Sequence, residues 1–531
     1  MKEMKTLNGY ELVDANARKR LDRLEKMPHI TPQMFGAKGD GVTDDTKAMR
    51  DFLNDSCALK IVPKGTYLVD QILAPNMRNC YVYGFGATIK STNTSIKNVL
   101  HVLLSNYDET ANGDSNGFIE IYGLTFDANG NECTLDVDVS AISAFSHGAI
   151  YLRYFDRVVI ENCTIKNTVQ FGVVTYNAKE VYCNRCNFYD IARWFDYTSN
   201  NYQTDGIVAN GDGLGESFVV TNCYFERIVG ACVGSVNYKN VLVKDNFAHD
   251  CGGLCEEHTY HAYDSYNHVF ENNIVDGVRE NFYTNSRDNA TNANDGVIVL
   301  RNNVVKNVWR DNTYTGGVGS NSATMVRFYC SLMQNTNVVV EGNTFEITSN
   351  NNGLDSDSSA IQAMNFADVV FRNNVFVSTS TLHSVFINAF KSGNVRFENN
   401  IFNIANGNPL VVNNCTGDVY IDGNEFVYSS AVDCIRVLAM SGNSNVYAQN
   451  NQTLIAGDNF IRFSGATAGN ILIANNITNC NYIYGMYTEG ATPSALYRLN
   501  NVSKLGVSRG YAFTPTITVD GGNIVIDSIT A

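Results

Sequence analysis

The sequence predicts an all-β solenoid, in which short strands wind into coils that stack along one axis. Three observations predict it. A two-residue corner, usually Asn-Asn, recurs down the chain, and its second member falls at Cys163, Cys186, Cys223, Asn246, Asn273, Asn303, Asn343, Asn374, Asn400, Asn424, Asn451, Asn476 and Asn501. A β-branched or aromatic run precedes each corner, as in Val369-Val370-Phe371-Arg372-Asn373-Asn374. Phe188, Phe225, Phe345, Phe376, Phe402 and Phe426 all stand two places after a corner. Spacings of 23 to 40 residues suit a repeat that buries its apolar face only against its neighbours.

Asparagine suits the corner because it tolerates the left-handed backbone of a sharp bend. Its amide can also bond the corner one coil above and one below. Cys163, Cys186 and Cys223 are consecutive corners, which is the pattern a stacked column would give. A disordered Asn-rich tract would lack aromatic residues in fixed register.

Composition agrees. The 531 residues include 44% hydrophobic and 11% aromatic side chains, with 42 Gly and only 7 Pro. The net charge of −15 argues against nucleic acid and anionic membrane surfaces, and against a densely anionic substrate unless a cation mediates. No apolar run approaches the roughly 18 residues of a membrane span. The N-terminal stretch is charged and lacks an apolar core, so no signal peptide is expected and synthesis is placed in the cytosol. The 14 Cys are expected to be buried reduced thiols. Cys183-Asn-Arg-Cys186 has a zinc-like spacing but no second pair, and no metal site is assigned.

In chain order, residues 1–30 predict a short helix, Glu11 to Lys26, with Ala17, Leu21 and Leu24 on one side. Alone it would be marginal, which points to packing on another copy or on a docking partner. Residues 31–75 hold a Gly-rich loop, Phe35-Gly36-Ala37-Lys38-Gly39-Asp40-Gly41, then Thr43 as an expected N-cap and a helix with Ala48, Met49, Phe52 and Leu53 on one face. That helix is placed over the open end of the first coil. The Val62-Pro63-Lys64-Gly65-Thr66-Tyr67 turn follows. Coils are expected over 76–505, with long loops concentrated in 127–330 as the wall of a groove, and 506–531 as a short end-piece.

The block from Phe35 to Ala48 with the turn at 62–67 resembles the N-terminal signature of the pectate-lyase superfamily. The resemblance implies a right-handed parallel β-helix with a short N-terminal helix and an N-terminal capping helix. It says little of chemistry, since that superfamily includes lyases, hydrolases, epimerases and binding proteins. The opening Leu7-Asn8-Gly9-Tyr10-Glu11 and its helix resemble the head of bacteriophage tail-spike and tail-fibre proteins. This second resemblance implies a homotrimer on the virion tail, joined to other tail or baseplate proteins through residues 1–30. It also implies binding, and often cleavage, of bacterial surface polysaccharide, with no nucleic acid and no membrane insertion.

Aligning the strand runs without gaps points Ile207, Cys232, Phe282 and Val326 inward and Val208, Val233, Tyr283 and Arg327 outward. On this register Asp205, Glu257 and Glu280 line up at one sheet edge. Their spacings bracket those of retaining and inverting glycosidases. The leading assignment is therefore an inverting hydrolase with Glu257 as acid and Asp205 as base, and Glu280 and Glu256 as substitutes. A second register stays open, with Cys255 inward and Glu256 outward. Carboxylates at solenoid edges are commonly solvated surface or calcium ligands, so the pairing competes with that plainer role. Thr204-Asp205-Gly206-Ile207 looks like the first element of the polygalacturonase motif, but Gly230-Ala231-Cys232 stands where its paired Asp should follow.

His258, His261, Tyr260, Tyr283, Arg279, Arg327 and Trp309 are the expected substrate contacts, since aromatic and polar groups together suit sugar rings. His249 and His268 fall in the same coils as groove residues, with no recognised zinc spacing. A polysaccharide lyase would use Arg279 or His258 as base, and would bring in calcium; the hydrolase needs no cofactor. A non-catalytic glycan-binding spike is the third class.

Overall fold

The computed structural model describes residues 28–93, 95–96, 100–105, 117–135, 147–192, 204–258, 265–287, 295–306, 325–347, 359–379, 385–405, 407–428, 433–440, 444–454, 459–464, 469–480, 482–486, 495–503, 506–510, 517–521 and 523–525. The side chains at 95–96, 100–101, 105, 134–135, 147, 212–214, 258, 265, 278–287, 330–334, 359, 385–386, 428, 482–486, 495, 502–503, 506–510, 517–520 and 524–525 fall outside that description. The N-terminal segment 1–27, with its expected helix, also lies outside it.

Among the described residues forty-four strands join in one continuous network, and every pairing within it is parallel from one coil to the next. Each regular coil contributes three strands. Face A holds those before the corner, such as Asn394–Glu398, and face B those after it, such as Ile401–Ile404. Face C holds the third, such as Asn408–Asn413. The stack continues to Val525, because Gly506–Gly510, Ile517–Gly521 and Ile524–Val525 pair with the coil before them.

The corners explain why these residues wind this way. The first member of all thirteen pairs has a positive φ, from Asn162 at 54° to Asn500 at 53°, with Arg185, Asp245, Gly342 and Gly423 where Asn is absent. The second member points inward and forms a ladder. Asn400 Nδ2 donates to Asn424 Oδ1 at 3.0 Å and to Phe371 O at 2.8 Å, and the Asn400 N–H donates to the same Oδ1 at 2.9 Å. The pattern repeats from Asn246 to Asn523. In the Cys column a sulfur replaces the amide oxygen as acceptor: Cys163 N to Cys186 Sγ at 3.5 Å, and Cys186 N to Cys223 Sγ at 3.4 Å. Each buried backbone N–H at the corner is thus satisfied by the next coil.

Aromatic residues two places on stack within the core. Phe376, Phe402 and Phe426 have successive centroids 5.0 Å apart. Outside, face A carries an alternating charge column, Lys244, Glu271, Arg301, Glu341, Arg372 and Glu398, on successive coils. The thirteen described cysteines are free thiols, and all but Cys57 and Cys133 are buried.

At the N-terminal end a helix runs from Thr46 to Asn54 and buries Ala48, Met49, Phe52 and Leu53. Thr43 is not its N-cap, because Thr43 closes a local turn with Asp40. Asp45 takes the N-cap position, but its carboxylate turns back to accept the Lys38 and Gly39 N–H groups at 2.7 and 2.9 Å. Gly39 has φ +62°, and a Cβ there would lie 2.8 Å from Tyr67 Cζ, so the loop fits against the turn only as glycine. No helix among the described residues is long and apolar enough to cross a membrane.

Candidate functional site

The register of face C decides which side chains share a surface. Successive coils pair Ile207 with Val233, Val233 with Cys255, Cys255 with Tyr283, and Tyr283 with Val326. This corrects the gapless alignment: Val233, expected outward, is fully buried in the core beside Ile207. Ile207 pairs with Val233 rather than with Cys232, and a separate register shift between Cys251 and Gly253, where the partner strand advances from Val278 to Asn281, displaces the coil of Tyr283. A one-residue slip exchanges the two faces of a strand.

The expected row of three carboxylates is therefore absent. Glu257 pairs with Ser235 and Asn285 rather than with Gly230 and Glu280. It points into the solenoid and is 1% exposed. Its Oε1 lies 3.0 Å from His268 Nδ1, and His268 Nε2 lies 3.0 Å from the Tyr238 carbonyl oxygen. A carbonyl only accepts, so Nε2 carries a proton and the Nδ1–carboxyl contact shares a second one. His268, expected in the groove, is an interior residue: it pairs with Val241 and Ile298 on face A. Glu280 falls at the register shift, and its side chain is outside the described set.

Two carboxylates lie on the outer side of face C, Glu256 half-buried and Asp205 buried, 3% exposed. Glu256 lies between buried Cys255 and buried Glu257 and so projects outward. Asp205, just before the strand Ile207–Thr221, accepts the Ala231 N–H at 2.9 Å. Its Oδ2 lies over Gly234, the partner of Glu256 on the preceding coil, and a Cβ on Gly234 would be 2.6 Å from that oxygen. Gly234 thus leaves a notch that the Asp205 carboxylate fills, one coil from Glu256. Neighbouring coils are about 4.8 Å apart. Both carboxylates, with Glu257 from inside, act on Cys255, whose thiol is raised well above its usual range by burial first and these charges second.

The outward column of Glu256 continues through position 284 to Arg327, Gln362 and Asn388. Arg327, Gln362 and Asn388 are all half-buried. Arg327 stacks its guanidinium on Tyr329, 4.6 Å from the ring centroid. In the other direction the column turns apolar: Val174 and Val208 are buried with Phe171 against Tyr151. Beside that patch, the Arg153 guanidinium lies between 5.0 and 5.8 Å from the ring centroids of Tyr151, Tyr154 and Tyr176.

Of the expected substrate contacts, Arg327 stands on this surface. Tyr260, His261 and Trp309 lie outside the described residues, as do the side chains of His258, Arg279 and Tyr283. His249 is exposed on face B, with Nδ1 3.2 Å from the Asp276 carbonyl oxygen. No cluster of three metal-ligating side chains occurs among the described residues. Alignment alone did not single out Gly234, Gln362 or Asn388. The register that stayed open sets Glu256 opposite Val233, so the pairing of Gly234 with Glu256 is seen only in the structure.

Residues 33–256 match the family described as rhamnogalacturonase A/epimerase, pectate lyase-like. The resemblance read from the N-terminal signature therefore stands on much more of the chain than the signature itself. A stretch of 108 residues is 33% identical to the capsule KN3-specific depolymerase 1 of Klebsiella phage KN3-1, covering 18% of this chain and 14% of that protein's length. Among solved structures, the Streptococcus pneumoniae surface protein and adhesin PfbA is similar, with a TM-score of 0.48 at 14% identity over 82% of this chain and all of that one. Tailspike protein 3 of bacteriophage CBA120 is similar over 98% of this chain and 64% of its own, with a TM-score of 0.42 at 12% identity.

Proposed function

We propose that this chain is a phage tail-spike protein that binds bacterial surface polysaccharide and cleaves it by glycoside hydrolysis on face C. The observation that carries the reading is the Asp205 carboxylate, seated in the Gly234 notch one coil from the outward Glu256. Two carboxylates flanking a glycosidic bond are what such hydrolysis needs, one to protonate the leaving oxygen and one to activate water or attack. Glu256, on the open polar column, takes the acid role. Asp205, anchored by a backbone N–H, takes the base role in an inverting reaction. The capsule-specific phage relative supports the substrate class and a place on the virion tail. A homotrimer, and attachment through residues 1–30, belong to the same reading.

The test is product analysis on capsular polysaccharide. Wild type is expected to release reducing ends without the ultraviolet absorbance of an unsaturated sugar, and the first product is expected to carry the inverted anomer. Glu256→Gln and Asp205→Asn should each lower the rate by about 10²–10⁴-fold while still binding polymer. Gly234→Ala, which pushes the Asp205 carboxylate out of its notch, should cost about 10²-fold. An unsaturated product would make the enzyme a lyase. Binding with no product from wild type would make it an adhesin, and full activity in Glu256→Gln would remove that residue from the site.

A further inference from the structure

We infer that the chain meets copies of itself along the edge between faces A and B, face A of one copy lying on face B of the next around an axis parallel to the solenoid. This rests on the homotrimer in the reading above and adds the surface that joins it. Among the described residues after Phe85, four large apolar side chains stand 39–49% exposed: Ile274, Ile401, Leu454 and Ile477. The three isoleucines project from face B, and Leu454 follows a face B strand. The other exposed ones, Met34, Val42, Leu73 and Phe85, lie at the N-terminal end. A column of exposed apolar side chains marks a contact surface, and aliphatic ones suit a protein face better than a sugar ring.

Face A answers that column coil by coil. On six successive coils its outward residues are Val219, Leu242, Val269, Val299, Val339 and Val370. On the same coils the outward residues of face B are Tyr224, Phe247, Ile274, Val304, Thr344 and Val375. All twelve are half-buried or exposed, so both columns show at the surface. Face A then turns to Arg396, and face B turns to Glu425 one coil later. Both are apolar again on one coil, at Leu472 and Ile477. Rotation about an axis parallel to the solenoid keeps every residue at its height, so a ring of copies sets each coil of face A against the same coil of face B. Contact between two different faces is heterologous, and such contacts close into rings. Apolar columns at matching heights are what that ring requires.

Charge and area agree with a second copy as the occupant. The edge between the two faces carries Lys244, Glu271, Arg301, Glu341, Arg372 and Glu398, which sum to zero in a chain of net charge −15. An edge of one sign would repel its own copies across the axis. Alternation sets each ring of like charges between two rings of opposite sign, about 4.8 Å away. The ten coils from Cys223 to Asn476 extend about 48 Å, and a strand of this length is about 15 Å wide. Their product, roughly 700 Å² per face, is close to the roughly 800 Å² per partner of a stable interface. Face C, with Asp205 and Glu256, stays outside the contact.

The experiment reads assembly, so that it stands apart from cleavage. Sedimentation of the full chain should show one species of three copies. Val269→Cys and Ile274→Cys, one on each face of the same coil, are placed on separate, differently tagged chains and co-expressed. A short bis-maleimide should join one of each and give a two-chain band in a denaturing gel. Neither variant alone should give that band above the background of the wild type and its own thiols. Unchanged thermal melting shows that the variants are folded. A monomer in sedimentation, or an equal band from either variant alone, would overturn the inference. Three copies with no band from the mixture would overturn it and leave the homotrimer standing. The band without cleavage by the wild type would leave the inference standing and sink the hydrolase reading.

Discussion

The loop-bearing coils between 147 and 347 and the plainer coils after 359 share one corner, one ladder and one strand order, yet their interiors differ. In one inward column of face C the later coils present Ala363, Ala389, Val412, Val437 and Phe463 in succession, all apolar. The same column in the earlier coils reads Thr175, Ala209, Ser235 and Glu257, and Glu257 needs His268 from across the core. Polar groups are costly to bury unless fully paired, and this column of the later coils carries none from Ala363 to Phe463. Those of the earlier coils lie directly beneath the coils where Glu256 reaches the outer face and the Asp205 carboxylate fills the Gly234 notch. The comparison teaches that the candidate site is marked on both sides of its sheet, outside by carboxylates and inside by a core that had to accommodate them.

Removing the interior pair should give the largest effect. Glu257→Ala leaves His268 buried without its partner and opens a cavity, and should destabilise by about 3–5 kcal/mol in chemical denaturation. Glu257→Gln should be far milder. Its amide can donate to His268 Nδ1 while Nε2–H keeps the Tyr238 carbonyl, so both ring nitrogens stay paired. The carboxyl faces inward, so Glu257→Gln should also keep cleavage within a few-fold of wild type. A loss comparable to that of Glu256→Gln would show that Glu257 reaches substrate and that the interior of these coils opens.

How much of this was legible differs between the same two regions. The corners could be read from sequence because each is defined by two residues whose backbone and amide requirements are local. The left-handed first member, the Asn ladder, its replacement by Cys163, Cys186 and Cys223, and the Phe stacks all follow from that. Face C of the loop-bearing coils could not be read the same way. Its register depends on the pairing of Ile207 with Val233 and on a bulge at Cys251–Gly253, which no local residue type announces, and a one-residue slip exchanges Glu256 with Glu257. Alternation requires that two adjacent glutamates face opposite sides. What settles which is buried is His268, which shares a column with Val241 and Ile298 and can only be an interior partner. The alternating charges on face A were hidden for a different reason: they become neighbours only after loops of unequal length are removed.

The ladder offers the second contrast, smaller in energy. Asn400→Ala removes an acceptor that two N–H groups of Asn374 use and a donor to Phe371 O, leaving buried backbone groups unpaired. It should cost about 3 kcal/mol. Cys186→Ala at the equivalent corner loses a long sulfur contact to the Cys163 N–H and a small apolar side chain, and should cost about 1–2 kcal/mol. Urea midpoints of the two variants measure the difference directly. Equal losses would mean that the column works by filling space rather than by its hydrogen bonds.

The smallest effect should come from the charge column on face A, where both regions are alike. Arg301 donates to Glu271 at 3.0 Å, and Lys244 lies 3.5 Å away on the other side. The Arg301 hydrogen bond is the main reason that the Glu271 carboxyl is held below its ordinary value, against a lesser opposing effect of burial. A carboxyl depressed in the folded state stabilises above its unfolded pKa, near 4.3, and that contribution disappears as pH falls through the lower folded value. Arg301 is 45% exposed, so solvent screening limits the pair to about 0.5 kcal/mol or less. Arg301→Gln should therefore lower stability slightly at neutral pH, and its gap from wild type should close in acid below the folded pKa and in high salt. A gap that persists unchanged in acid would assign the effect to packing of the arginine stem, and would separate this column from the charge pairing it shares with Glu341 and Arg372 on the coils that follow.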